Sequence, residues 1–404
     1  MRRVVITGVG AISVLGSSRE SIANALYTGK SGIVADISRA ERGFRSVLTG
    51  EITAFDGTAY LNRKQRKTMP EFVQQAYVAC LHALEQACLP EEKLHSPCCG
   101  LIFGNDSTAE SAFHLAHLRQ QAELTSSLGS GHMFKIMNST VSMNLGVLLG
   151  VNGGSWTVSA ACASGLLAVG QAVDCIRLGR QDIMICGGAQ ELCAEAVCAF
   201  DGLGAFSTNP EPHKASRPFD KMRDGLVPSG GAAAIILEEY EHAKARGANI
   251  LGEIAGWGYS SDGCELAAPS HTGLGHAMRM ALADACLKAE DITEINAHAT
   301  STQQGDVAEA VNIQSIFGAQ CPRVLTLKSL TGHEFWMSGA SQLVYASIMA
   351  EHGFCAGSPH FVEGDAMTKN IPVLQQSIHE PPHTMLCNAA GFGGSNASLI
   401  VRFS

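Results

Sequence analysis

Two segments that lie far apart in this chain share one ten-residue pattern. Residues 83–92 read ALEQACLPEE and residues 281–290 read ALADACLKAE, with six identical positions. Each segment ends an amphipathic helical run and is followed by a short apolar strand, CGLIFGN after the first and ITEINAHAT after the second. The same pattern in the same context indicates a duplicated α/β unit.

A second pair of segments, one from each half of the chain, shows the same order of predicted elements. WTVSAACASGLLAVGQAV in the first half corresponds to VLTLKSLTGHEFWMSGASQLVYA in the second, and both read as a strand, a tight turn and a helix of small residues. If a pseudo-twofold axis relates the halves, Cys162 and His333 begin equivalent helices, and His298 ends the strand after the second repeat. We therefore expect these three side chains to meet in one cleft at the carboxyl ends of strands.

Further strand candidates are interleaved with helices along the whole chain. They are residues 4–7, 182–186, 232–237, 385–388 and 398–403. This alternation predicts a layered α/β architecture. The region around residues 247–252 reads as a boundary between two halves rather than as a flexible linker.

Composition excludes several classes of protein. A formal net charge of -9 and a pI near 5.9 are unlike those of a basic nucleic-acid-binding domain. The first residues imitate a signal peptide but fit a buried strand better, and we expect no span of the roughly 18 apolar residues that cross a bilayer. Fourteen scattered cysteines without paired metal spacings indicate a reducing compartment, so we predict a cytoplasmic protein.

The stretch SAACASG, residues 159–165, places Cys162 among six small residues where a strand-like run meets a helix-like run. The unpaired amides and the dipole at a helix start favour thiolate over thiol, so Cys162 is the candidate nucleophile. The other thirteen cysteines are interpreted as small structural residues. The following helix is predicted to be mostly buried, because its apolar residues recur at helical spacing: Leu166, Val169, Val173 and Ile176.

Two histidines stand out by their context. His298 follows an apolar strand in INAHATSTQQGDVAE, where Asp306 and Glu309 could orient a neutral imidazole. His333 lies in LKSLTGHEFWMSGASQ, five residues after Lys328, and the glycine before it predicts a turn that exposes the ring. Histidines flanked by small residues at duplicated strand ends favour a catalytic pair over two unrelated structural residues.

Two glycine-rich stretches have both a functional and a purely structural interpretation. GFGGSN, residues 391–396, is a turn between strands or a loop whose amides face a ligand and whose Phe392 can swing. GVGAIS, at residues 8–13, follows a strand as a dinucleotide loop does, but it lacks the full glycine spacing and a matching acidic residue. We interpret GVGAIS as structural.

Taken together, these motifs resemble the elongating β-ketoacyl-acyl-carrier-protein synthases (ketosynthases) of the thiolase superfamily. The resemblance covers nearly the whole chain, in the family's order: RRVVITGVGAIS, NSTVSMN, SAACASG, SRPFDKMRDG, NAHATST, KSLTGH and NAAGFGGSN. It implies a five-layered α-β-α-β-α fold built from two pseudo-twofold-related halves, residues 1–248 with the nucleophilic cysteine and residues 249–404 with the two histidines. It also implies an obligate dimer.

The resemblance assigns a role to each candidate residue. Cys162 matches the nucleophile that accepts the acyl chain, and the amides of Cys162 and Phe392 match the oxyanion hole. Phe392 also matches the gating ring. His298 and His333 match the pair that binds the malonyl thioester, assists loss of carbon dioxide and stabilises the enolate. The implied supporting polar network comprises Lys328, Asp306, Glu309, Thr300 and Thr302.

The family works without a metal or a bound cofactor, because its substrates arrive on the phosphopantetheine of an acyl carrier protein. The basic segment NRKQRK is a solvated surface run or, by resemblance, a docking site for that acidic carrier. Its basic residues are Arg63, Lys64, Arg66 and Lys67. No nucleic-acid partner and no membrane span are expected.

Several positions depart from the family pattern around the acyl pocket and the gate. They are Ala299, Glu334, Phe335, Trp336, Met337, Gly230 and Ala390. The chain is also similar to synthases of polyene pathways, including aryl polyenes, which often pair with a chain-length-factor subunit that lacks the cysteine. The product is thus a fatty acid or a polyketide or polyene chain, made by a homodimer or by a heterodimer in which this chain is the active partner.

Two alternatives remain open from the sequence. A CoA-dependent thiolase would share the fold and a nucleophilic cysteine but would use a second cysteine, which Cys387 superficially offers. The lysine and histidine of KSLTGH and the histidine of NAHATST favour the decarboxylating class. A non-catalytic subunit that shapes a partner's pocket is the other alternative.

We expect an acyl-carrier thioester to modify Cys162 selectively among the fourteen cysteines, because this cysteine alone combines a helix start with two candidate imidazoles. Intact-mass analysis followed by peptide mapping measures the site of modification. Equal mass addition at many cysteines would contradict a privileged site.

Overall fold

The computed structural model describes residues 1–53 and 55–403. Twelve strands occur among these residues. In chain order they are β1 Val4–Ile12, β2 Ile33–Ala35, β3 Leu48–Gly50, β4 Cys99–Gly104, β5 Ser155–Val158, β6 Ile183–Gln190, β7 Gly231–Glu239, β8 Gly252–Ser261, β9 Glu294–Asn296, β10 Arg323–Leu325, β11 Thr384–Gly391 and β12 Ser395–Arg402. The five strand candidates predicted from the sequence correspond to β1, β6, β7, β11 and β12.

Sixteen helices occur in the same described ranges. They are α1 Arg19–Thr28, α2 Ser38–Glu41, α3 Arg63–Arg66, α4 Glu71–Ala87, α5 Glu91–Leu94, α6 Ala109–Gln121, α7 His132–Lys135, α8 Thr140–Leu149, α9 Ser164–Arg177, α10 Ala194–Gly202, α11 Pro212–Ala215, α12 Tyr240–Ala245, α13 Gly273–Asp284, α14 Gln303–Phe317, α15 Lys328–Thr331 and α16 Ala340–His352. In this part of the chain no helix is long and apolar enough to cross a membrane.

The two halves build sheets of identical topology. The first has the strand order β5-β4-β6-β7-β1, and the second has the order β10-β9-β11-β12-β8. In each sheet the first three strands of this order run parallel, and the last two pair antiparallel with their neighbours. Antiparallel pairing of β1 with β8, where Val4 lies opposite Ile254, joins the sheets. This correspondence confirms the duplication.

Helices complete five layers around the two sheets. Helices α4 and α8 cover the outer face of the first sheet, and α13 and α14 cover the outer face of the second. Helices α9 and α16, one from each half, pack between the sheets in the largest buried apolar cluster. Both sides of α9 must therefore be apolar, which explains why its sequence has only a narrow polar stripe.

The repeated sequence pattern forms the same helix end in both halves. Cys88 after α4 and Cys286 after α13 adopt the left-handed conformation, with φ of 47° and 53°. The next residues, Leu89 and Leu287, donate their amides to the carbonyl five positions earlier, at 3.4 and 2.9 Å. This hydrogen bond satisfies a carbonyl that the helix leaves without a partner. The repeated residues therefore end the helix in each half, before the chain continues toward β4 or β9.

Glycine in β1 lets α4 pack directly on the strand. A Cβ at Gly8 would overlap the carbonyl oxygen of Ala83 in the last turn of α4. We expect Gly8→Ala to lower the free energy of unfolding by about 1–3 kcal/mol, because neither backbone can withdraw from the other. Chemical denaturation measures the change.

Gly202→Ala is the matched control, because nothing lies within 4 Å of a Cβ built at Gly202 near the end of α10. That variant should stay within about 1 kcal/mol of the wild type. Equal stability of the two variants would contradict the packing argument.

Candidate functional site

Cys162 lies in a tight turn of residues 161–163 between β5 and α9. The turn is held at both ends: Ala161 donates its amide to Asp106 at 2.8 Å, and Ala160 donates its amide to the Ser164 hydroxyl at 2.8 Å. Ala161 has a φ of 48°, which is strained for a residue with a side chain. The turn therefore fixes the sulfur just before the amino end of α9, as the sequence predicted.

The structure brings the three predicted reactive side chains together. The Nε2 atom of His333 lies 3.1 Å from the Sγ atom of Cys162. The rings of His298 and His333 meet edge to face, with 5.4 Å between their centroids. All three residues line one cavity, so the predicted convergence in a single cleft is confirmed.

His333 occupies a different local structure from the one predicted. It does not begin a helix: it follows α15 and precedes α16 by seven residues. Its backbone amide donates to Val227 at 2.7 Å, and its carbonyl accepts from Ser229 at 2.9 Å. The ring is only 3% exposed, so the prediction of an exposed ring is also wrong. The backbone contacts seat the imidazole inside the protein, facing the sulfur.

Burial sets the charge state of the reactive groups. It raises the pKa of Cys162 to about 12, although the nearby Lys328 charge acts in the opposite direction. The predicted resting thiolate is therefore wrong: desolvation outweighs the helix start. Burial, with Lys328 as the second cause, also lowers the pKa of His298 and of His333 well below the usual value. The site at rest holds a neutral thiol beside two neutral imidazoles.

Glu309 supports the segment that carries His298. Its carboxylate accepts the backbone amides of His298 at 3.0 Å and of Ala299 at 2.6 Å, and it accepts the Asn388 side chain at 2.9 Å. Burial raises the pKa of Glu309, while these donors lower it. Glu309 thus holds the backbone beneath the imidazole and does not bind the ring, whose Nδ1 atom has no hydrogen-bond partner among the described residues.

Asp306 supports the next part of the same loop. It accepts the amides of Thr300 at 3.0 Å, Ser301 at 3.1 Å and Phe219 at 2.7 Å. Burial raises its pKa to about 7. The hydroxyl oxygens of Thr300 and Thr302 lie 3.1 Å apart, and both residues line the cavity. These contacts place all four residues of the loop network where the sequence expected polar support.

Lys328 is buried behind the reactive groups, and burial lowers its pKa, whereas Glu309 and Glu334 act to raise it. The sequence marks Glu334 only as a departure from the family pattern. It is buried and accepts the hydroxyls of Ser341 and Tyr345, each at 2.6 Å. Burial raises its pKa to about 7. The sequence could have indicated this role, because Glu334 is a carboxylate that directly follows His333 and precedes a stretch of apolar and small residues.

Phe392 lies at the mouth of the cavity, where its side chain is 42% exposed. Its ring stacks on Phe200 with 5.8 Å between centroids. The preceding Gly391 packs against the nucleophile turn, since a Cβ there would lie 3.1 Å from the Cys162 amide nitrogen. Gly393 has a φ of 78°, which a glycine adopts without strain. The loop therefore packs against the Cys162 turn at Gly391 and continues directly into Phe392.

The cavity has a volume of about 470 Å³. Its polar side is formed by the histidines and threonines, and its apolar side by Phe200, Phe335, Leu226 and Leu266. Cys387, the second cysteine that a thiolase would need, is fully buried in β11 and is not among the described lining residues. The site therefore has one accessible thiol and two imidazoles.

The basic segment is separate from this site. Arg63, Lys64 and Lys67 are exposed on and beside α3, and Arg66 is half-buried with its Nε atom 3.2 Å from the Leu61 carbonyl. None of the four is among the described residues that line the cavity. Their role in docking a carrier protein stays a prediction.

Comparison with known proteins places the chain in one family. Residues 1–243 match the family described as Beta-ketoacyl synthase, N-terminal domain, and residues 251–362 match Beta-ketoacyl synthase, C-terminal domain. The chain is 36% identical over 407 aligned positions to 3-oxoacyl-[acyl-carrier-protein] synthase 1 of Escherichia coli (strain K12), covering 100% of this chain and 99% of that relative.

Solved structures of similar fold support the same family assignment. A Beta-ketoacyl synthase from Burkholderia phymatum STM815 is similar with a TM-score of 0.94 at 34% identity, and the match covers 100% of both chains. The ishigamide ketosynthase/chain length factor is similar with a TM-score of 0.93 at 30% identity, covering 100% of this chain and 99% of that chain.

We expect Glu334→Gln to change how stability depends on pH. A buried carboxyl whose pKa is raised from 4.5 to about 7 keeps its proton in the folded state while the unfolded chain loses it. Stability therefore falls as pH rises from about 4.5 to about 7, by about 3 kcal/mol for this one group. The variant lacks this contribution, which urea titrations across that pH range measure.

The matched control is Glu92→Gln, which replaces an exposed carboxyl and should keep the wild-type pH dependence. If the free energy of unfolding depended on pH in the same way in wild type and Glu334→Gln, the pKa of Glu334 would not be raised in the folded protein.

Proposed function

This chain belongs to the β-ketoacyl synthase family and is a β-ketoacyl-acyl-carrier-protein synthase, and we propose that its reaction runs through Cys162, His298 and His333. The observation that supports this most directly is the 3.1 Å contact between the Cys162 sulfur and the His333 Nε2 atom. The reaction extends an acyl chain by two carbons through decarboxylative Claisen condensation.

The first half-reaction transfers an acyl group from a carrier-protein thioester to Cys162. His333 Nε2 accepts the thiol proton as the sulfur attacks the acyl carbonyl, and the carrier thiol leaves with a proton. Because burial raises the pKa of Cys162, a transfer of this proton that accompanies the attack is favoured over prior formation of a thiolate. The amides of Cys162 and Phe392 stabilise the negative oxygen of the tetrahedral intermediate.

The second half-reaction needs hydrogen-bond donors for an enolate. A neutral imidazole can donate one N–H, and burial keeps both rings neutral. His298 and, in its Nε2–H tautomer, His333 donate hydrogen bonds to the thioester carbonyl of the malonyl group, which loses carbon dioxide as the C–C bonding pair moves into the enolate. The enolate carbon attacks the acyl carbonyl on Cys162, the C–S bond breaks, and the cysteine sulfur leaves as a thiolate that takes up a proton from water.

We place the carrier protein at the exposed cations on and beside α3, because an acidic carrier is complementary to Arg63, Lys64 and Lys67. The substrates stay attached to its phosphopantetheine, so the enzyme holds no cofactor of its own. The pathway is the synthesis of a fatty acid or of a polyketide or polyene chain, and the compartment is the cytoplasm.

We place a second ketosynthase subunit against β5, which is the last strand of its sheet and leaves one edge unpaired. Trp156 on this strand is 39% exposed, and Val147 on the neighbouring α8 is also exposed. Such apolar side chains beside an open strand edge favour a subunit contact. The partner is a second copy of this chain or a homologue of the chain-length-factor type, and the halves 1–248 and 249–404 act as one catalytic unit.

Variants at Cys162 and His298 should separate the two half-reactions. Cys162→Ala should lose acylation and condensation but keep decarboxylation of the malonyl carrier, because both imidazoles remain. His298→Asn should still be acylated at Cys162, because His333 is the histidine that contacts the sulfur, and should lose decarboxylation by about 10²–10³-fold. Intact-mass analysis and release of labelled carbon dioxide measure the two steps.

His352→Asn changes an exposed histidine at the end of α16 and serves as the control with wild-type rates in both assays. Full condensation by Cys162→Ala would show a non-catalytic subunit. A requirement for Cys387 with CoA thioesters and no decarboxylation would show a thiolase.

A further inference from the structure

We propose that Phe335 and Trp336 close the inner side of the acyl site and restrict Cys162 to short, compact acyl groups. This inference rests on the proposed function, since it concerns the group that Cys162 carries. It names the substrate class that the pathway assignment leaves open.

The sulfur lies at the border between the cavity and a buried apolar cluster. On one side the cavity opens toward His298 and Phe392. On the other side Cys162 packs in one continuous cluster with Val197, Phe206 and Trp336. Leu226 and Phe335 belong to the same cluster and also line the cavity, so they form the border between the two. Each of these side chains is nearly or fully buried. An acyl chain that extended inward from the sulfur would have to displace them.

Aromatic rings form a continuous wall through this cluster. Phe335 lies 4.7 Å from His333, 5.6 Å from Trp336 and 4.9 Å from Phe200, measured between ring centroids. Phe200 in turn lies 6.4 Å from Trp336 and 6.4 Å from Phe206. These spacings are those of rings in direct contact, which leave no room for an additional alkyl chain between them.

The wall cannot retreat, because its backbone is packed against glycines of the other half. A Cβ at Gly165 would lie 2.9 Å from the Trp336 carbonyl oxygen, and one at Gly188 would lie 2.7 Å from it. Phe335 also has a φ of 41°, a conformation that a residue with a side chain adopts only under constraint. The two rings are therefore fixed where they stand.

The position of the Trp336 indole has a cost in stability, because it buries an N–H group. The side chain is 8% exposed, and its Nε1–H has no hydrogen-bond partner among the described residues. A buried donor without a partner is unfavourable, and such groups call for a functional explanation. Filling the space behind the nucleophile is the explanation that the position of the ring supports.

The open side of the cavity does not substitute for an inner tunnel. The two imidazoles that bind the malonyl thioester face this side, so the second substrate and its pantetheine arm must occupy it during condensation. The acyl group on Cys162 shares the remaining space with them. A long acyl chain therefore has neither an inner pocket nor a free outer one.

The test compares acylation of Cys162 by acetyl, butyryl, octanoyl and dodecanoyl carrier proteins, followed by intact mass. We expect the wild type to accept acetyl and butyryl groups and to discriminate against the two longer chains. Trp336→Ala should raise the rate with the octanoyl group relative to the acetyl group by about tenfold or more. Phe335→Leu, a milder change, should shift the same ratio in the same direction.

Trp257→Ala is the matched control, because Trp257 is also 8% exposed but packs against Gly170 on α9, away from the sulfur. This variant loses a buried indole and should keep the wild-type preference. The melting temperature of each variant confirms that it folds, and Phe335→Leu decides the question if Trp336→Ala does not.

Equal acylation of the wild type by acetyl and dodecanoyl groups would overturn the inference, and so would unchanged length preference in the folded variants. Failure of every acyl carrier, the acetyl carrier included, would instead contradict the proposed function. The two failures are thus distinguishable.

Discussion

The candidate active site depends on the close approach of two segments that come from opposite halves of the chain. The first turn of α9, directly after Cys162, and the end of β6 pack against the segment at Trp336 through glycine, because a side chain at Gly165 or Gly188 would strike the facing backbone. This contact brings the amino ends of α9 and α16 together between the two sheets. The 3.1 Å approach of the His333 imidazole to the sulfur follows from it. Each half alone would carry only part of the site.

The same burial that assembles the site also controls its charges. A thiol, two imidazoles and a lysine share a region with little water, and burial shifts the pKa of each toward its neutral form. The buried carboxyl groups of Glu309 and Glu334 oppose this shift at Lys328, because their negative charges act to raise its pKa. Burial therefore favours neutral hydrogen-bond donors in this region. This behaviour suits a reaction that must protect an enolate from water.

The sequence was informative where local pattern and chemistry coincide. The repeated ALxxACL segment predicted the duplication, because it encodes a helix end that both halves need. Cys162, His298 and His333 were identified because small residues and glycines surround them at strand ends. Glu334 was missed, and the state of Cys162 was predicted wrongly, because both depend on desolvation by residues distant in the chain. Burial in apolar surroundings raises the pKa of a thiol even at a helix start and beside a lysine.

Periodicity, turn residues and the internal repeat were sufficient to predict from the sequence a layered α/β chain, a candidate cysteine nucleophile and a candidate histidine pair. These features depend on residues close together in the chain, so a local sequence pattern is enough to predict them. The tertiary structure alone decided that His333, and not His298, contacts the sulfur, that the thiol is neutral, and that Phe335 and Trp336 stand behind it. Each of these depends on which distant surfaces exclude water and fill space around one atom, and no local pattern records that.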